Sequence, residues 1–122
     1  MNGDEMRAYA RRTMDTRSKL RVAPQGEVAY ARFYRTATGT PIAFEPSRPQ
    51  GFLNLWVRAA DVAGKCLDDL EQKPYDHRRF GESKPNHNLF REPNFRNVDL
   101  VCFKLTEPPE VDRVLAAVAG TP

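Results

Sequence analysis

The chain has 122 residues, 40 % of them apolar and 29 % charged, which suits one domain over residues 1–122 and is long enough to bury a core without metal or disulfide staples. No apolar run approaches the length of a membrane span, and the opening MNGDEMRAYARR has no apolar signal region, so the expectation is a cytoplasmic protein with no membrane partner. Cys66 and Cys102 stand far apart and outside any CxxC pair, which argues against a disulfide framework or a zinc site.

The net charge of +3 is unevenly distributed. Residues 1–61 carry 10 basic and 6 acidic side chains, and residues 62–122 carry 9 and 10. The excess is concentrated in Arg7, Arg11, Arg12, Arg17, Lys19 and Arg21, opposed only by Asp15 in that interval. Such asymmetry points to an anionic partner, although a solvated helix face has the same composition.

In chain order, Asn2 and Glu5 have capping-box spacing and open a predicted helix. Met6, Tyr9, Thr13 and Leu20 fall on one face of it, and Pro24-Gln25-Gly26 closes the segment. Glu27–Arg35 is predicted as a strand, followed by a turn at 36–39 and a second strand at Thr40–Glu45. After a turn at 46–51, Phe52–Arg58 is a third strand with Leu53, Leu55 and Val57 on one face. Pro41 and Pro46 read as edge-strand protection.

Ala59–Leu70 is predicted as a short helix weakened by Gly64. The stretch Lys73–Asn97 lacks periodicity and is punctuated by Pro74, Pro85 and Pro93, so it reads as a long loop. Val98–Leu105 is apolar on both faces and predicts a covered strand. Pro108-Pro109 then opens a final helix with Val111, Val114, Leu115 and Val118 as its stripe and Gly120 as its stop. The expected fold is α+β. It has a four-stranded, mainly antiparallel sheet, N- and C-terminal helices, a short middle helix and a long polar loop before the last strand.

The long loop holds both histidines, His77 and His87, among arginines, asparagines and aromatics. Guanidinium and ammonium groups neutralise phosphates, asparagine reads base edges, and aromatic faces stack on unpaired bases. The leading expectation is therefore a binding domain for DNA or RNA rather than an enzyme. Its contacts are expected from Arg78, Arg79, Lys84, Asn86, Asn88, Arg91 and Arg96 in the loop and from Arg7 and Arg11 on the first helix.

One alternative is a metal-independent phosphodiesterase or ribonuclease. It would use His77 and His87 as acid and base, Lys84 against the developing charge, and Asp76 or Glu82 to orient an imidazole. Another is a protein-interaction module docking an acidic partner. No metal or cofactor is expected, since no ligand spacing or glycine-rich phosphate loop is present. Phe80, Phe90 and Phe95 are expected to anchor the loop inward, and Tyr34 and Trp56 to be core. The oligomeric state is not legible.

Overall fold

A computed structural model describes residues 2–47, 51–79 and 87–120. Its elements are α1 (Gly3–Thr16), β1 (Leu20–Val28), β2 (Ala31–Thr36), β3 (Pro41–Phe44), β4 (Leu53–Arg58), α2 (Ala59–Val62), β5 (Gln72–Tyr75), β6 (Leu100–Leu105) and α3 (Pro108–Ala119). Three short 3₁₀ turns lie between β5 and β6, at His77–Arg79, His87–Arg91 and Pro93–Phe95. The fold is α+β with terminal helices, and its sheet is antiparallel throughout. It has six strands in the order β1-β2-β3-β4-β6-β5, not the four expected.

The first additional strand comes from residues expected to finish a helix. The capping box forms: Asn2 Oδ1 accepts from the Glu5 N–H at 2.8 Å, and Glu5 Oε1 accepts from the Asn2 N–H at 3.1 Å. The helix ends at Thr16, because Leu20 already pairs with Thr36 in the sheet. Pro24-Gln25-Gly26 does not end an element but lies inside β1 as a bulge, and pairing jumps from Val22↔Tyr34 to Glu27↔Arg32. Pro24 has no N–H for the ladder, and Gly26 supplies a φ of +61°. The predicted strand Glu27–Arg35 is therefore two strand ends joined by a turn at Ala29-Tyr30.

The second additional strand, β5, pairs Lys73 with Cys102 and Tyr75 with Leu100. It lies at a sheet edge, where Pro74 costs no ladder bond on the open side. Pro41, expected at an edge, is buried in β3 between β2 and β4. The protected edges are instead β1 and β5. The predicted helix over 59–70 is one turn long, since Gly64 (φ +71°) and Cys66 (φ +60°) leave helical space. Leu67 and Leu70 remain buried, and Arg113 holds their segment by a two-pronged bond to Asp69 at 2.8 Å and one to the Cys66 carbonyl.

Strand alternation places a core on each side of the sheet. Leu53, Leu55 and Val57 of β4 join Val101, Phe103 and Leu105 of β6 beneath Met6, Ala10 and Met14 of α1 and Val111, Val114 and Leu115 of α3. Tyr34 lies on this side, its hydroxyl donating to Asp15 of α1. The opposite face carries Ala23, Phe33, Ala43, Trp56, Leu100 and Cys102, and among the described residues no α-helix covers it. Leu89 and Phe95 from the β5–β6 segment do so instead, both fully buried. Burial pushes the Cys102 thiol up, which makes it an unreactive core group.

What fastens that cover is Glu92, a carboxylate with 0 % exposure. Arg35 of β2 donates to it through Nε and Nη2, both at 3.0 Å, and Gln25 in the β1 bulge donates at 2.9 Å. The Asn94 N–H adds a fourth bond at 3.1 Å. Burial opposes ionisation, but the bonds from Arg35, the Asn94 backbone and Gln25, with the Arg35 charge, hold the carboxyl below its ordinary value of 4.5. A depressed folded-state pKa contributes stability that is present above 4.5 and lost as pH falls through the folded value. Removing one side of such a pair strands a charge, so Glu92→Ala should destabilise by about 3 kcal/mol in denaturant melts. In Glu92→Gln, the acid-side loss of stability should shrink without vanishing, because Asp15 and Asp99 are also depressed.

Candidate functional site

The β5–β6 segment leaves the sheet at Tyr75 and re-enters at Leu100, which are cross-strand partners, so its two ends meet. Asp99 closes this neck. Its Oδ1 accepts the His77 N–H at 3.1 Å and faces His77 Nδ1 at 2.8 Å. These two bonds hold the Asp99 carboxyl below the usual range. The imidazole is thereby oriented through its Nδ1.

Beside this pair lies a hollow of about 270 Å³ lined by His77, Phe90, Arg96 and Asn97. Arg96 is exposed, and its Nε donates to the Phe90 carbonyl at 2.6 Å, which sets the guanidinium over the turn that carries Phe90. Asn97 adopts a left-handed φ of +58°, a region that asparagine tolerates better than most residues. Phe90 is half-buried against the loop-side core. The turn from Glu92 to Arg96 is fixed by N–H bonds from Phe95 to the Glu92 carbonyl and from Arg96 to the Pro93 carbonyl. Glu92 therefore positions Arg96 as well as the cover.

Asp76, His77 and Asp99 offer ligating atoms within 4.8 Å of one another. Asp99 Oδ1 is engaged with His77 as above, and Asp76 Oδ1 accepts from the Arg78 N–H at 2.9 Å. The bond from that N–H and the Arg78 side chain lower the Asp76 carboxyl. Exposed acidic groups gathered in this way are common without an ion, and we assign none.

The expected contact residues divide into three groups. Arg78, Arg79, Arg91 and Arg96 are exposed along the segment, Arg78 paired with Asp76 at 3.3 Å, and Asn88 is half-buried. Lys84 and Asn86, together with Phe80 and Glu82, lie outside the described residues. Arg7 is buried and bonded to Asp4, and Arg11 is paired with Glu27 at 2.7 Å. Both sit on α1, across the sheet from the hollow.

His87 is exposed and does not line the hollow with His77. The imidazole is oriented by Asp99, which reads in sequence as the start of a strand. Asn97 was likewise not singled out as a contact. Its place just before a strand was the only local signal. No protein-family model, curated protein or solved structure matches the chain.

If Asp99 closes the neck, Asp99→Ala frees the His77 amide. Hydrogen exchange at that N–H should accelerate at least tenfold, while exchange in β4 and β6 stays unchanged. Unaltered protection of His77 would contradict the assignment.

Proposed function

We propose that this domain binds nucleic acid containing unpaired bases, through the face covered by Leu89 and Phe95. One observation carries the reading: an imidazole, an aromatic ring, a guanidinium and a carboxamide, from His77, Phe90, Arg96 and Asn97, line one hollow. A guanidinium neutralises a phosphate, a ring offers a stacking surface, and a carboxamide offers the paired donor and acceptor that a base edge needs. Arg79 and Arg91 add exposed positive charge along the same segment, while Arg78 is paired with Asp76. The contacts expected from Arg7 and Arg11 have no part in this version, since both already serve acidic neighbours.

Fluorescence anisotropy with single- and double-stranded oligonucleotides tests the proposal. Affinity for the single strand should fall steeply as salt rises. Arg96→Ala should weaken it about equally across sequences and reduce the salt slope by about one. Binding that ignores salt, or no binding at low salt, would refute it.

The His77–Asp99 pair supports a second reading, a phosphodiesterase in which Asp99 orients His77 as general base. Under it, His77→Ala abolishes cleavage of a labelled RNA and leaves binding largely intact. Cleavage that survives both His77→Ala and His87→Ala rules it out. A protein-interaction module docking an acidic partner remains the third class, distinguished by complexes that persist after nuclease treatment.

A further inference from the structure

A second concavity, of about 490 Å³, lies between the bulged strand β1 and the β2–β3 turn. It is lined by Arg21, Val22, Ala23, Pro24, Arg35 and residues 37–39. None of these lining residues is acidic, and two are arginines. Arg21 and Arg35 are direct cross-strand partners, so their side chains leave the same face of the sheet. Like charges placed opposite one another destabilise a strand pair unless something neutralises them.

Glu92 neutralises only one. Arg35 commits Nε and Nη2 to that carboxylate, and Nη1 remains for the groove. Because Glu92 is fully buried and bound at both oxygens, it fixes the direction of the Arg35 fork while offsetting its charge, so the uncompensated charge of the groove is that of Arg21. Arg21 is exposed and has no acidic partner among the described residues.

The turn on the other wall adds neutral donors. Thr36–Gly39 is closed by the Gly39 N–H bonding to the Thr36 carbonyl at 2.9 Å, with Gly39 at a φ of +90°. The N–H groups of Ala37 and Thr38 between them have no protein acceptor among the described residues. The Thr38 hydroxyl shares a 3.0 Å bond with that of Thr36, which leaves it further capacity. Asn94 donates to the Gly39 carbonyl at 3.4 Å, joining the turn to the same cover that carries the His77 hollow.

We infer that this groove is a phosphate-binding pocket, with Arg21 supplying the charge, Arg35 Nη1 a further N–H donor, and the 37–38 amides and Thr38 hydroxyl completing the shell. The inference goes beyond the reading of the His77 hollow and does not depend on it. The same chemistry would hold a backbone phosphate of a nucleic-acid strand or the phosphate of a small phosphorylated molecule.

Amide and arginine Nε–H NMR spectra of the full chain, titrated with inorganic phosphate against chloride at matched ionic strength, provide the test. Saturating shifts are expected at Ala37, Thr38, Gly39 and Arg35, and Arg21→Ala should weaken binding about tenfold. Arg21 is exposed, so an unchanged spectrum elsewhere verifies that the variant folds. Shifts that never saturate, or that are identical in Arg21→Ala, would overturn the pocket.

A second titration, with oligothymidylate, distinguishes the sources. If it moves the same amides and Arg21→Ala weakens it, the phosphate belongs to a strand. If phosphate saturates the groove but the oligonucleotide binds nowhere, the pocket stands for a small phosphorylated ligand and the nucleic-acid proposal fails separately.

Discussion

The bidentate bond between Arg35 and buried Glu92 is the interaction on which the second face of this molecule depends. The sheet is apolar on both sides, and among the described residues α-helices pack on only one. The other must be covered by a segment with little regular structure, whose polar backbone would ordinarily keep it in water. Leu89 and Phe95 supply the apolar contact, but apolar contact alone is non-directional. Glu92 supplies direction. It joins the segment to β2 through Arg35 and to the β1 bulge through Gln25, and it organises its own turn through the Asn94 N–H.

That fastening has consequences at both ends. Toward β5 and β6, the fixed turn sets Arg96 beside Phe90 and brings Asn97 up to the neck that His77 and Asp99 close. Toward β1, it spends one edge of the Arg35 fork and directs the other edge, with Arg21, into the groove against the 36–39 turn. A buried ion pair is seldom a net gain in stability over a hydrophobic substitute. Its use here is geometric, since one carboxylate orders the groups that line two separate hollows.

Much of the helical side was legible in the sequence. The Asn2–Glu5 box, the stripe of α3 and the alternation of Leu53, Leu55 and Val57 are local patterns with local causes, and each forms as read. The additional strands were not. Pro24-Gln25-Gly26 has the composition of a terminator, yet a bulge uses the same residues for the same conformational reasons. Gln72–Tyr75 is polar and contains a proline, and it becomes a strand only because the ladder of β6 is open beside it. The inward role of the phenylalanines was legible for Phe95. Glu92 was not, for it reads as one more charge in a charged stretch, and its partner lies 57 residues away. Asp99 was hidden for the same reason, with the added disguise of adjoining an apolar strand.

The proposed nucleic-acid binding places the strand on the segment-covered face and not on the helical face. Ultraviolet crosslinking of a single-stranded oligonucleotide carrying a photoreactive base, followed by mass mapping of the modified peptides, tests it most directly. Crosslinks are expected within residues 87–97, centred on Phe90, and they should be lost in Arg96→Ala. Crosslinks mapping to α1 or α3, or none under conditions where the protein is folded, would contradict it.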